Sequence, residues 1–150
     1  MTANAWQVFD VFYEQLANEA HDLNGTDVIK MALHTSSWSP NLQTDVSQSA
    51  LGNEHANGNG YTTGGVVVAA TWDAATNTLT FDVADGAWTA SGGSIVARYA
   101  VLYNDDAPGS INDLIAYCLL DNTPADVTAT AGNGFTVEIH ASGVFTIAQS

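Results

Sequence analysis

The sequence has few basic residues, one cysteine and no long apolar run, and each of these absences excludes a class of protein. Lys30 and Arg98 stand against 16 acidic residues, which gives a formal net charge of −14. Nucleic acids and anionic membrane surfaces are bound through Lys and Arg side chains, so we expect neither as a partner. Cys118 alone cannot form an internal disulfide, and no apolar run approaches the roughly 20 residues of a membrane-spanning helix.

The residues that are present are typical of one folded domain. Hydrophobic residues make up 46% and charged residues 12% of the 150 positions. A chain of this length buries roughly 68–70% of its unfolded surface, which is enough for a core of its own. The sequence shows no internal repeat, charge block, Pro-rich linker or signal peptide. It therefore predicts a single domain over residues 1–150 that matures without disulfides.

An apolar stripe near the N-terminus predicts an amphipathic helix over residues 4–20. The stripe consists of side chains three or four positions apart, namely Trp6, Phe9, Tyr13, Leu16 and Ala20. Asn24 and Gly25 favour a helix end, which we expect near His21. This stripe either covers a face of its own domain or docks its aromatic rings into another subunit.

From residue 27 onward, apolar residues recur at every second position, which is the period of a β-strand. Seven strands are predicted, at residues 27–35, 65–72, 78–84, 94–103, 114–120, 135–140 and 144–148. We expect a mainly β fold, with residues 27–148 forming a single antiparallel β-sandwich of the jelly-roll or immunoglobulin-like type. The nearly all-apolar strand at 114–120 should be central, with Cys118 as a small buried hydrophobic residue. Residues 73–77 are predicted to form a hairpin loop.

Residues 36–64 have few large apolar side chains and contain the run Asn57-Gly58-Asn59-Gly60. Such a composition favours an exposed loop. Because loops longer than about 12–15 residues are usually functional or disordered, we interpret this one as a contact arm or a mobile insert. The predicted interface residues are accordingly the helix stripe and two loop aromatics: Trp6, Phe9, Tyr13, Leu16, Trp38 and Tyr61.

No recognised catalytic, cofactor or metal motif is present, so we predict no enzymatic activity, no cofactor and no zinc site. His21, His34, His55 and His140 are far apart in sequence and lie outside any ligand motif. Oxygen ligands at Asn104-Asp105-Asp106 and Asp121-Asn122 leave calcium as an alternative, although neither run matches an EF-hand. A glycan hydrolase using two of the carboxylates is a further alternative.

Arg98, the single arginine, is flanked by apolar residues in the predicted strand at 94–103. Its guanidinium group is expected to form a structural ion pair with a neighbouring carboxylate, or otherwise an intermolecular contact.

Several segments, taken in order, resemble a family of small virion structural proteins of tailed bacteriophages. These segments are Ile29-Lys30-Met31-Ala32-Leu33-His34-Thr35-Ser36-Ser37-Trp38-Ser39-Pro40, Gly60-Tyr61-Thr62-Thr63-Gly64-Gly65, Trp88, Ala97-Arg98-Tyr99-Ala100-Val101-Leu102-Tyr103-Asn104, Phe135-Thr136-Val137 and Ser142-Gly143-Val144-Phe145. The likeness covers about residues 27 to 148. The chain departs from the family's pattern at Leu119-Leu120-Asp121-Asn122 and in its more polar loop near residues 47–59.

The resemblance implies a non-enzymatic, β-rich protein present in many copies on the particle. Its expected location is the virion, assembled in the host cytoplasm, and its expected partners are the phage capsid or other virion proteins and further copies of itself. The expected role is capsid decoration or cement, or the base of a head fibre. The alternative is a tail-fibre or adhesin protein that contacts a host receptor or glycan, with Trp38 or Tyr61 stacking on sugar rings.

Overall fold

The computed structural model describes residues 4–18, 21, 26–106, 112–123 and 125–148, and it is mainly β, with 44% strand and 8% helix. A mainly β fold with one helix near the N-terminus confirms the predicted fold class at this level. In chain order the elements are β1 (Gln7–Val8), α1 (Asp10–Ala17), β2 (Ile29–His34), a short 3-10 helix (Gln48–Ala50), β3 (Val66–Val67), β4 (Ala70–Ala75), β5 (Thr78–Val83), β6 (Gly86–Thr89), β7 (Ile95–Ala97), β8 (Tyr99–Asn104), β9 (Leu114–Leu119), β10 (Val127–Ala129), β11 (Gly134–Val137) and β12 (Phe145–Ala148).

The strands of the described residues form four antiparallel sheets. The largest has five strands in the order β1-β9-β8-β2-β3, and a three-stranded sheet has the order β12-β5-β4. Two smaller sheets pair β10 with β7 and β11 with β6. The predicted number of seven strands is therefore wrong, since twelve short strands occupy the described part of the chain.

Strand β9 lies inside the five-stranded sheet between β1 and β8, as its apolar sequence predicts. Leu114, Ile115, Ala116 and Cys118 are fully buried. Leu102 of β8 pairs with Ala116 and Tyr103 pairs with Leu114, so β9 has one additional residue, Ile115, at this point. Burial raises the pKa of the Cys118 thiol to about 12, so this side chain is a small hydrophobic residue in the core.

The hairpin of β4 and β5 is tighter than the predicted loop at 73–77. Ala75 pairs with Thr78, and only Thr76 and Asn77 lie in the turn. Both turn residues have positive φ, at 44° and 64°, which is the backbone of the twisted two-residue turn that matches the twist of paired strands. Because that turn needs no additional residues, β4 continues through the predicted loop.

The N-terminal helix is shorter than the predicted one at 4–20. Residues 4–8 are extended along β9, where Gln7 pairs with Tyr117 and the N–H of Asn4 donates to the carbonyl of Leu119 at 3.3 Å. Backbone groups at the edge of β9 need partners, and the extended segment supplies them more directly than a helix does. The helix therefore begins at Asp10, while Ala20 lies outside the described residues.

Other predicted strands differ in their limits. The segment at 65–72 is divided between β3 and β4, and the segment at 94–103 is interrupted at Arg98. At this interruption the N–H of Arg98 donates to the carbonyl of His34 at 2.8 Å, and its own carbonyl accepts the N–H of Leu120 at 3.0 Å. The backbone of Arg98 thus bonds to two different segments, which ends β7 and starts β8.

Two apolar clusters lie on the two faces of the five-stranded sheet. The larger contains Met31 and Leu102 from that sheet together with residues of each of the other three sheets. The smaller contains Phe9, Trp38 and Tyr103. The sheet is thus covered on both faces, and the second cover includes part of the segment at 36–64.

Candidate functional site

The segment at 36–64, which we call the covering segment, is exposed over much of its length, including the run Asn57-Gly58-Asn59-Gly60, as its composition predicts. It also lies back on the fold and buries some of its side chains, which its composition does not predict. The N–H of His55 donates to the carbonyl of Leu33 at 2.8 Å, and Glu54 forms a bridge with His34. Trp38, Gln48, His55 and Tyr61 are all buried. A segment with these backbone bonds is held against β2.

A chain of hydrogen bonds, which we call the His34 network, connects this segment to β2. It consists of His34, Gln48, Glu54 and Tyr61. The Nδ1 atom of His34 lies 3.1 Å from the carbonyl oxygen of Gly52, which can only accept, so Nδ1 carries the proton. In the neutral ring Nε2 then accepts from the amide nitrogen of Gln48 at 3.0 Å. The same amide nitrogen lies 3.4 Å from Oε2 of Glu54.

Burial decides the protonation of His34. Its side chain is fully buried, and burial lowers its pKa, opposed by the hydrogen bonds to Gly52 and Gln48 and by the charge of Glu54. Desolvation disfavours the charged ring, so the neutral form fits the bonding pattern at neutral pH. The ring has no solvent exposure, and its two hydrogen bonds connect the end of β2 to the covering segment.

Glu54 is the centre of the network. Its Oε1 accepts the hydroxyl of Tyr61 and the N–H of Gly64, both at 2.6 Å. The Tyr61 oxygen also accepts the N–H of Leu33 at 3.1 Å. Burial raises the pKa of Tyr61 well above its usual value, so its hydroxyl stays a donor. These bonds fix the carboxylate, and its other oxygen makes the long contact to Gln48.

A polar cleft of about 410 Å³, the Glu54 cleft, opens beside this carboxylate. It is lined by Lys30, Gln48, Ser49, Leu51, Glu54, Thr63, Gly64, Tyr103, Asp105 and Asn112. Lys30 Nζ pairs with Asp105 at 2.6 Å, and the Tyr103 hydroxyl donates to the carbonyl of Gly64 at 2.7 Å. The polar groups named here already have partners within the chain, so a polar ligand in the cleft would be held by their remaining protons and lone pairs.

Arg98 forms the ion pair that the sequence predicts. Its Nε lies 2.8 Å from Oδ1 of Asp126, and the hydroxyl of Ser36 donates to the other oxygen at 3.2 Å. The pair connects the break between β7 and β8 to the loop before β10 and to the covering segment. The predicted structural pair is thus confirmed.

The structure separates the predicted interface residues into buried and exposed groups. Phe9, Trp38 and Tyr61 are exposed by 0%, 6% and 2%, so they are core residues and cannot anchor a partner from this conformation. The Trp38 ring packs against Tyr99 and Tyr117, and the Tyr61 ring packs against His55 and Trp88. Neither ring is therefore available for a sugar to stack on. The helical spacing placed Phe9 on an apolar stripe, but it did not show that this side chain would be buried.

Trp6 and Leu16 are half-buried against the larger apolar cluster. Tyr13, in contrast, is 53% exposed on α1. An interface through this residue stays a prediction.

The remaining histidines do not assemble into a site. His21 is buried and stacks on Phe12 at a centroid distance of 5.4 Å, with its Nδ1 3.1 Å from the amide nitrogen of Asn104. Burial lowers the pKa of His21, opposed by the charge of Asp27. Within the described ranges, no three His, Cys, Asp or Glu side chains converge as a metal site would require.

The two calcium candidates have partners inside the chain. Asp105 pairs with Lys30, and Oδ1 of Asp121 accepts both the N–H and the hydroxyl of Thr123 at 2.9 and 2.8 Å. The second arrangement is a local turn of the kind that Asp commonly forms.

Sequence reasoning missed the roles of Gln48 and Glu54 because both lie in a segment of low apolar content. The available signal was His34, a polar residue at the end of a strand that is otherwise buried. A buried imidazole needs hydrogen-bonding partners, and the covering segment is the nearest source of them in sequence.

Comparison of the chain with models of known protein families, with curated proteins and with solved structures finds no match. In the part of the chain that the structure describes, none of the helices has the length and apolar character needed to cross a membrane.

Proposed function

We propose that the chain is a non-enzymatic structural protein of a bacteriophage virion, a capsid-associated decoration, cement or head-fibre protein that binds the shell in many copies. The observation that carries the proposal is where the resembling segments lie. Ile29–His34 is β2, Tyr99–Asn104 is β8, and Phe135 with Val137 belongs to β11. The resemblance therefore involves the central strands and buried side chains of the fold, not one surface motif.

The charge distribution supports the same role. Both basic side chains are engaged in ion pairs within the chain, Lys30 with Asp105 and Arg98 with Asp126. With a net charge of −14, the protein's surface field repels other acidic particles and DNA. Modest affinity per copy suffices for a protein that binds an assembled lattice, because many contacts act together.

We also propose that the sheets stack as one antiparallel sandwich. The five-stranded sheet would form one layer, and the sheets β10-β7, β11-β6 and β12-β5-β4 would form the other. Support comes from the larger apolar cluster, in which Leu102 of the first layer shares a core with Ile95, Phe81 and Phe135 of the three smaller sheets.

Labelling of purified particles tests the virion role. Antibody against the chain, carrying gold, is imaged on particles of the phage that encodes it, and mass spectrometry gives copies per particle. We expect labels on the head in a copy number that matches a lattice position. Absence of the protein from purified particles contradicts the virion role.

The second candidate is a tail-located protein that contacts a host receptor or glycan, and the Glu54 cleft favours it. Because Trp38 and Tyr61 are buried, recognition of a sugar would depend on hydrogen bonds from the cleft. A host-glycan panel with the wild type and Thr63→Ala tests this role, with Thr62→Ala, the exposed neighbour outside the cleft, as a matched control. Labels confined to the head, with no glycan bound, exclude the second candidate.

A further inference from the structure

Strand β12 is an open edge of the three-stranded sheet. The sheet order is β12-β5-β4, and within the described ranges no strand pairs with the outer side of β12. The sequence of β12, Phe-Thr-Ile-Ala, contains no proline and no charge. Natural edge strands are usually protected from pairing by such residues. The opposite edge, β4, carries Asp73, whereas β12 lacks this protection.

The hairpin turn determines which backbone groups of β5 face β12. A two-residue turn is flanked by a hydrogen-bonded pair, here Ala75 and Thr78, and the bonding direction alternates along the strand. Leu79 and Phe81 therefore direct their backbone groups toward β12. The carbonyl of Phe81 accepts the N–H of Val144 at 2.8 Å, which agrees with this alternation of bonding directions along β5.

The same phase determines which groups of β12 point outward. Phe145 lies opposite Phe81 and Ile147 opposite Leu79, so these two residues bond inward to β5. Thr146 and Ala148 then direct their N–H and C=O groups away from the sheet. The outer edge of β12 thus offers donors and acceptors that only another extended segment can pair with in full.

The edge is complementary to itself. In an antiparallel pair about a two-fold axis normal to the sheet, residues that face each other must lie on the same face. An axis through Thr146 satisfies this condition and lets Thr146 exchange two hydrogen bonds with its own copy. Phe145 then lies opposite Ile147 of the other copy, which extends the apolar face, while the two threonines pair on the polar face.

The self-complementary register identifies a second copy as the occupant. A net charge of −14 opposes the approach of two copies, and β12, which carries no charged side chain, lets them pair without placing carboxylates opposite each other. Ile147 is 39% exposed, and Phe145, which would face Ile147 of the other copy, packs against the fully buried ring of Phe12 at a centroid distance of 5.2 Å. Pairing of two copies would therefore cover Ile147 beside a residue that the core holds in place.

We propose that two copies of the chain form a dimer by antiparallel pairing of β12 about a two-fold axis at Thr146. This proposal does not depend on the virion role, because it concerns the isolated protein. The interface is small, so the dimer is expected to dissociate on dilution.

Sedimentation equilibrium over a concentration series tests the pairing. The wild type should show a reversible monomer–dimer equilibrium. Thr146→Pro removes the outward donor and leaves the bonds to β5 in place, so we expect a dissociation constant about thirtyfold higher, equivalent to two backbone hydrogen bonds. Ala74→Pro, at an outward position on β4, is the matched control and should dimerise like the wild type.

Two results would overturn the proposal. One is a wild type that stays monomeric up to about 1 mM, the limit of even weak specific association. The other is a pair of proline variants that dimerise equally well.

Cross-linking gives a second measurement if Thr146→Pro does not fold. In Thr146→Cys the two thiols lie across the axis, where hydrogen-bonded partners have Cα atoms about 5.5 Å apart, which suits a disulfide. Mild oxidation should yield a covalent dimer. Thr80→Cys, the neighbour on the same face of β5, should stay monomeric, and Cys118 is buried. Equal cross-linking of both variants, or none, contradicts the proposed axis.

Discussion

Replacing Tyr61 by Phe should destabilise the protein strongly, because one oxygen serves two partners. The hydroxyl donates to Glu54 at 2.6 Å and accepts the N–H of Leu33 at 3.1 Å. A hydrogen bond to a charged group contributes about 1.5–3 kcal/mol, and a buried donor left unpaired costs about 1–3 kcal/mol. Leu33 is fully buried, whereas Glu54 is half-buried and recovers part of its loss from water. We expect a loss of about 3 kcal/mol in the free energy of unfolding.

Urea unfolding monitored by tryptophan fluorescence measures this loss. The midpoint should fall with an unchanged slope, since the substitution alters a hydrogen bond and not the surface exposed on unfolding. In a chain of this size, a loss of about 3 kcal/mol corresponds to a thermal midpoint lower by roughly 6–12 °C.

Tyr103→Phe is the matched control. Its hydroxyl makes one hydrogen bond in the structure, to the carbonyl of Gly64 at 2.7 Å, and the residue is also buried. Its removal should cost about 1 kcal/mol. If Tyr61→Phe costs no more than Tyr103→Phe, the Tyr61 hydroxyl does not serve two partners. A double-mutant cycle with Glu54→Ala, which removes the acceptor, should then show no coupling, where we expect at least about 1 kcal/mol.

Three further predictions concern other parts of the fold. Burial lowers the pKa values of His21 and His34 below the usual 6.5, so the unfolded chain binds more protons than the folded chain as the pH falls. The free energy of unfolding should therefore be full above about pH 7 and decline below about pH 6.5. Urea midpoints that stay constant between about pH 7 and 5 contradict this prediction. Thr76→Asn should raise the thermal midpoint and add about 0.5–1 kcal/mol to the free energy of unfolding, because Asn tolerates the positive φ of 44° better than a β-branched residue does. An unchanged or lower midpoint refutes this prediction. The thiol of Cys118 is fully buried and its pKa is raised to about 12, so it should react with thiol reagents only as fast as the chain unfolds. Labelling of the native protein at the rate of the denatured chain would contradict this.

Local apolar patterns predicted the strands whose burial depends on their own sequence. β5 alternates as expected, with Phe81 and Val83 buried, and β9 is covered on both faces. In each case the side chains alone determine which faces must be covered. The limits of strands were less predictable, because interruptions such as the one at Arg98 depend on backbone bonds to distant segments.

The buried contacts of the covering segment were not predictable from its composition. Polar residues indicate exposure unless they satisfy one another, and here the partners are far apart in sequence. His34 and Gln48 are 14 positions apart, and Leu33 and Tyr61 are 28 apart. A pattern confined to one window cannot detect such pairs. The helical spacing of Trp6 and Phe9 failed for the same reason, since the edge of β9 determines the conformation there.

The glycines of the segment at 60–65 connect the family resemblance to the packing of the fold. A Cβ atom on Gly65 would lie 1.8 Å from the carbonyl oxygen of Met31, and one on Gly60 would lie 1.9 Å from that of Thr89. Both residues also have positive φ. Gly65 thus allows the chain to pass close to β2, and Gly60 allows it to pass close to β6, where any larger residue would meet the backbone. These two close approaches explain the glycines by packing alone, so the resemblance at Gly60 and Gly65 concerns the framework of the fold, and neither residue lines the Glu54 cleft or belongs to β12.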